Sequence, residues 1–226
     1  MPLFFDPTMI LLIPALILAV WAQFKVSSTF KKYSKVQNNY GFSGYDIATK
    51  MLIDNGIYDV KVEAIAGNLT DHYDPSCKIV RLSESVYEKT TISALSVATH
   101  EVGHAIQHNL DYAPLTLRSK IYPIANIGSS SAFFLFLIGI FMNSGIFLQI
   151  GIALFTFAVI FHIVALPVEF NASKRALEYL QTNKIVTVQE FPQAKAVLSA
   201  AAMTYVASTL MAVLQLVRML LIARDE

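Results

Sequence analysis

The segment His100-Glu101-Val102-Gly103-His104 holds the residues whose spacing carries chemistry. On a helix, residues four apart share a face, so both imidazoles can reach one ion. Glu101 is angled to the side of that pair, where its carboxylate can hold a water bound to the same ion. Zinc suits such a site, because it takes neutral imidazole readily and its catalytic sites keep one position open. The chain has a single cysteine, Cys77, which excludes an intrachain disulfide and a cysteine-rich metal cluster. Any metal must therefore be held by histidine and carboxylate. The plainer alternative is a helix surface that carries two histidines by chance.

Two imidazoles are not enough for a catalytic zinc, so a third protein ligand is required. The five histidines are His72, His100, His104, His108 and His162. A third histidine ten residues after His100 is excluded, since Leu110 stands there. His108 shares the face of His104 but lies about 6 Å further along the helix axis. His162 falls inside an apolar run, where packing or a hydrogen bond accounts for it. Glu169 is the better candidate: it follows that apolar run directly and opens a helical stretch, EFNASKRALEYL. A carboxylate at a helix start also complements the dipole, and that role is compatible with a metal. The expected metal ligands are His100, His104 and Glu169, with Glu101 as general base.

The elements that position these residues follow from periodicity. From Thr91 to Asn109 the apolar positions Leu95, Ala98, Val102, Ala105 and Ile106 form a helical stripe. Upstream, Ser43 is placed to cap a helix through Tyr45–Ile53 that Asn55-Gly56 closes. Val60, Val62, Ala64 and Ala66 alternate as in a half-buried strand. Asp74-Pro75 marks a turn between LTDHY and KIVRL, read as a further pair of short strands. Residues 43–120 thus read as a folded soluble region, and with the basic stretch before it the domain covers 25–120.

Only 15% of the residues are charged and 55% are hydrophobic, a balance that implies contact with a lipid bilayer. A net charge of +1 excludes a dedicated nucleic-acid binder, which would carry a basic face. Residues 8–24 are an uncharged apolar run approaching the length of a membrane span. Lys25, Lys31, Lys32 and Lys35 follow it, and no Lys or Arg precedes it. It therefore reads as an uncleaved anchor whose C-terminal side is cytoplasmic. Residues 121–168 hold two apolar runs separated by Asn143-Ser144-Gly145, which implies an antiparallel membrane hairpin. Residues 169–196 are polar, carry Lys174, Arg175, Lys184 and Lys195, and read as a cytoplasmic segment with the third-ligand helix. Residues 197–222 are a fourth span or, alternatively, a buried amphipathic helix.

At these residues the chain resembles the YugP-type neutral zinc metallopeptidases of bacterial membranes. The resemblance is carried by HEVGHAIQ, by LTDHYDP and VRLSE before it, by PVEFNAS and RA after it, and by KVSSTFKKYSKVQN. It covers nearly the whole chain and implies a membrane metallopeptidase. A more distant likeness is to HtpX-type and CAAX-prenyl endopeptidases, gluzincins whose third ligand is the Glu of an E-(F/Y)-x-A-D motif. Glu169-Phe170-Asn171-Ala172-Ser173 matches that motif except at its last position. Ser173 stands where the family's Asp would hydrogen-bond a ligand histidine, and a neutral hydroxyl orients an imidazole less strongly.

The expectation is an α+β membrane protein, mainly helical, with about four transmembrane helices and a small zincin-like cytoplasmic domain containing a short β-sheet. Its expected activity is zinc-assisted hydrolysis of peptides or membrane proteins at the cytoplasmic face of the plasma membrane. His72 and Tyr73 are candidate donors to the developing oxyanion; alternatively Asp71–Asp74 only builds a turn. An extended substrate could add to an edge strand near this segment. Two other classes compete. A non-catalytic membrane protein with a structural zinc would not need Glu101, and a metal transporter would place its ligands within the spans.

Overall fold

The computed structural model describes residues 7–225. A 3-10 turn at Pro7–Leu12 leads into helix α1 (Ile13–Tyr33), followed by α2 (Gly44–Asp54). Strands β1 (Lys61–Ile65), β2 (His72–Asp74) and β3 (Ile79–Ser83) come next, then α3 (Ile92–Asn109). Three long helices complete the order: α4 (Ala113–Phe141), α5 (Gly145–Thr182) and α6 (Phe191–Asp225). The protein is an α+β membrane protein, and among the described residues four helices are long and apolar enough to cross a bilayer.

The described residues divide into two compact units, one of residues 24–113 and 168–203, the other of residues 7–23, 114–167 and 204–225. In the first unit, local chemistry sets the helix starts. Ser43 accepts the Asp46 amide on its hydroxyl, and the Asp46 carboxylate accepts the Ser43 amide at 3.0 Å, a reciprocal cap for α2. Thr91 caps α3 by accepting the Ala94 amide at 3.3 Å.

The sheet order is β1-β3-β2, so the strand KIVRL lies in the middle. β2 pairs with β3 antiparallel, as two short strands around a turn should. The Asp74 carboxylate shapes that turn by accepting the Ser76 amide at 2.9 Å and the Cys77 amide at 3.3 Å. β1 pairs with the other edge of β3 in parallel, with Val62 opposite Val80 and Ala64 opposite Leu82. Val80 and Leu82 are fully buried beside Ile47 and Met51 of α2 and Leu95, Ala98 and Val102 of α3. Leu180, Ile185 and Ala194 complete that core. The stripe expected on α3 is thus the face that packs.

The other unit is helical. A Cβ on Gly128 would lie 2.7 Å from the Leu154 carbonyl oxygen, so α4 and α5 meet there backbone to backbone. Phe136, Leu148 and Met219 form its buried cluster.

Two helices run differently from the sequence reading. The polar stretch after residue 168 is no separate helix, because α5 continues through Pro167 to Thr182. At 1.5 Å per residue α5 is about 57 Å long, nearly twice the ~30 Å hydrocarbon core. α6 begins at Phe191, before the apolar stretch that starts at 197. Thr187 and Glu190 explain the earlier start: the Glu190 carboxylate accepts the Thr187 amide at 2.7 Å and the Thr187 hydroxyl accepts the Glu190 amide at 3.2 Å.

Candidate metal centre

His100 and His104 project from one face of α3, their rings 4.8 Å apart and nearly perpendicular. The residue between them on that helix, Gly103, decides how closely α5 can come. A Cβ there would lie 2.8 Å from the Ala172 carbonyl oxygen, so any larger residue would push the two backbones apart. The approach places Glu169 of α5 against the histidines. Its Oε2 lies 3.3 Å from His100 Nε2 and 3.5 Å from His104 Nε2. Side-chain exposure is 13% for each histidine and 3% for Glu169.

These three donor atoms all lie within 4.8 Å of one another, the one such cluster among the described residues. Tetrahedral zinc with bonds of about 2.1 Å requires its ligand atoms to stand roughly 3.4 Å apart. The two distances to Glu169 therefore match that spacing. The donor set fits as well, two imidazoles and one carboxylate with a slightly open side.

Each imidazole is held from behind. His100 Nδ1 lies 3.1 Å from the Ser173 hydroxyl, the position the sequence singled out. His104 Nδ1 lies 3.0 Å from Gln107 Oε1. Gln107 is fully buried, and its amide nitrogen donates to the Val168 carbonyl at 2.8 Å and to Asn171 Oδ1 at 3.0 Å. Sequence reasoning missed Gln107. The available signal was its place three residues after His104, on the same helical face. Burial pushes the His104 imidazole toward its neutral form, but its hydrogen bond to Glu169 and the charges of Glu101 and Glu169 outweigh this and hold it above its ordinary pKa.

Glu101 is buried at 9% exposure on the same helix. Asp71, just before β2, accepts the Ser83 amide at 2.7 Å and the Ser83 hydroxyl at 2.9 Å. Burial raises its pKa despite these bonds, and the charge of Glu101 adds to that rise. Of the two candidate donors, Tyr73 has its hydroxyl 2.7 Å from His108 Nδ1. His72 is turned to the Thr70 carbonyl at 2.8 Å and to Arg81 at 3.3 Å. Neither His108 nor His162 belongs to the ligand cluster.

The sequence model of a family described as "Putative neutral zinc metallopeptidase" matches residues 8–224. The chain is 49% identical over 219 residues to "Putative membrane protease YugP" of Bacillus subtilis (strain 168), covering 96% of this chain and 97% of that protein. No solved structure matches the chain.

Proposed function

Because the chain belongs to this family of neutral zinc metallopeptidases, we propose that it is a zinc endopeptidase that hydrolyses peptide bonds at the cytoplasmic surface of the plasma membrane. The observation that carries this reading is the convergence of His100, His104 and Glu169 at separations that suit tetrahedral zinc. We assign these three as the metal ligands, a gluzincin-like set, and Glu101 as the general base.

Zinc bound there supplies Lewis acidity, which acidifies a water toward neutral pH and polarises a carbonyl. The chain's own residues do the rest. Glu101 takes the proton of the attacking water and returns it to the leaving amine. Ser173 and Gln107 keep the two imidazoles in place. We assign Tyr73 as the oxyanion donor, with His108 Nδ1–H donating to its hydroxyl oxygen so that the phenol O–H points elsewhere. Burial together with the carboxylates of Asp59 and Asp74 keeps the phenol protonated, with its pKa pushed up to about 12. β2 is an edge strand, so an extended substrate can pair with it by backbone hydrogen bonds.

The domain plan follows the same reading: spans at 8–24, within 121–168 and at 197–222, with 25–120 and 169–196 in the cytoplasm. Glu169 stands directly after the apolar run of α5, so membrane proteins cut near their cytoplasmic boundary are the expected substrates. The test is proteolysis of an unstructured protein by the purified full chain in detergent. Cleavage that a chelator abolishes and zinc restores supports the proposal. A zinc-loaded chain that cleaves nothing, while holding its zinc tightly, returns the structural-zinc reading.

A further inference from the structure

We propose that Arg175, acting through Asn171 and Gln107, dictates which nitrogen of His104 carries the proton and therefore which one faces the metal. The proposal rests on the reading of His104 as a metal ligand.

The argument is one of hydrogen-bond polarity. A guanidinium has N–H donors and no acceptor. Arg175 Nε lies 2.8 Å from the Asn171 side chain, so the Asn171 atom facing it is the oxygen. That oxygen can only accept. Gln107 approaches the same atom at 3.0 Å and must therefore present its amide nitrogen. The other hydrogen of that nitrogen goes to the Val168 carbonyl, 2.8 Å away, which is likewise an acceptor. Gln107 has no freedom left, and its oxygen must face His104 Nδ1 at 3.0 Å. An amide oxygen accepts only, so Nδ1 must carry the proton. Nε2, on the side of Glu169, is then the only ring nitrogen that can give up its proton toward that carboxylate and offer its lone pair to a metal.

The reverse arrangement is closed off by burial. A flipped Gln107 amide would turn its oxygen toward both the Val168 carbonyl and Asn171 Oδ1. Gln107 has 0% exposure, so bulk water cannot relieve those two acceptor contacts. His100 differs. Its Nδ1 partner is the Ser173 hydroxyl, which can rotate to donate or accept and so imposes no tautomer. The site thus pairs one dictated imidazole with one permissive imidazole. The same Gln107 amide also ties α3 to the residue preceding Glu169, so one side chain orients a ligand from each helix.

The test uses the full chain in detergent, labelled with 15N-histidine and loaded with zinc. NMR should find the His104 proton on Nδ1 and the metal on Nε2. By chelator competition, Gln107→Leu should weaken zinc binding by about 10–100-fold, the range for lost outer partners of metal ligands. Arg175→Met should also weaken it, although that side chain does not touch the imidazole, and a second His104 tautomer should become visible. Asn171→Asp preserves the polarity, because a carboxylate accepts from both Arg175 and Gln107, and it should keep the parent tautomer and affinity. If Gln107→Leu does not fold, the Arg175 and Asn171 variants carry the test. A parent that takes up no zinc overturns the metal reading and this proposal with it. Zinc on His104 Nδ1, or affinity and tautomer unchanged in Arg175→Met and Gln107→Leu, overturns the relay alone.

Discussion

The Tyr73 hydroxyl and His108 Nδ1 stand 2.7 Å apart, joining the edge strand β2 to the last turn of α3. His108 Nδ1 is thereby engaged by a phenol. The phenol stays protonated across the working range, since burial and the nearby carboxylates hold its pKa near 12. Tyr73→Phe should therefore keep its zinc while kcat falls by about 10²–10³, the scale for losing one oxyanion donor. Steady-state cleavage and zinc content measured on the same preparation decide it. Unchanged kcat would leave Tyr73 as a packing residue.

Glu101 should carry the proton and not the metal. Glu101→Gln keeps the shape of the side chain and removes its basicity, so about one zinc per chain should remain. Cleavage should fall by about 10²–10⁴-fold, the usual cost of losing a general base. A variant that cleaves as fast as the parent would sink the mechanism and favour a structural zinc.

That His100 and His104 share one face of a helix was legible in the sequence because their geometry is local, fixed by helical spacing alone. Ser43 was legible for the same reason, as its partner Asp46 is three residues away. The clustering of Glu169 with that pair is non-local and could be reached from sequence only through an expectation about how the two apolar runs between them fold back. Gln107 was not legible as a positioning residue, because its partners Val168 and Asn171 lie far along the chain. The parallel pairing of β1 with β3 is non-local in the same way, and alternation of side chains does not say which edge a strand joins. The length of α5 was misread for a different reason. The change of polarity after residue 168 suggests a boundary, yet the helix continues past it and through Pro167, since neighbouring groups can satisfy the backbone that a proline frees in a membrane helix. The start of α6 was readable in principle: Thr187-Val188-Gln189-Glu190 is a capping sequence, which hydropathy alone overlooks.

Asp74 supplies a pH dependence. The Arg81 guanidinium donates to its carboxylate at 2.8 Å and, with the Cys77 and Ser76 amides, holds its pKa at about 2. A carboxylate depressed in the folded state contributes stability that is present above its unfolded pKa, about 4, and is lost as pH falls through the folded value. Asp74→Asn should thus unfold at lower temperature than the parent at neutral pH. The gap should shrink steadily between about pH 4 and pH 2. Thermal unfolding followed by circular dichroism measures it, and a gap that is constant with pH would mean the charge is not the cause.

Topology can be tested with a residue the protein already has. Cys77 is exposed in the turn between β2 and β3, within the region expected to face the cytoplasm. A membrane-impermeant thiol reagent should therefore label it in inverted vesicles and not in intact cells. In a Cys77→Ser background, cysteines placed at positions 61 and 184 should behave identically, because the two lie on opposite chain sides of the 121–168 hairpin. Strong labelling of any of the three from outside would remove the cytoplasmic active site.

The assignment of Glu169 over His108 and His162 has the most specific test. Glu169 Oε2 is within 3.5 Å of both imidazole Nε2 atoms, whereas His108 is engaged by Tyr73 and His162 lies in the apolar run of α5. A carboxylate ligand would also lower the net charge of the site relative to a third neutral imidazole, which suits a divalent ion beside side chains of 3–13% exposure, where an uncompensated charge is costly. Glu169→Ala should therefore lose zinc during purification or chelator challenge, while His108→Ala and His162→Ala should retain it at the parent level. Circular dichroism must show equal helix content in all three, so that zinc loss is not mistaken for unfolding. Gln is the sharper substitution if Ala perturbs the helix: Glu169→Gln keeps volume and hydrogen-bonding length but offers a neutral oxygen, so affinity should fall without any change of fold. Full zinc occupancy in both Glu169 variants, or loss of zinc in either histidine variant, would mean that a different side chain completes the site.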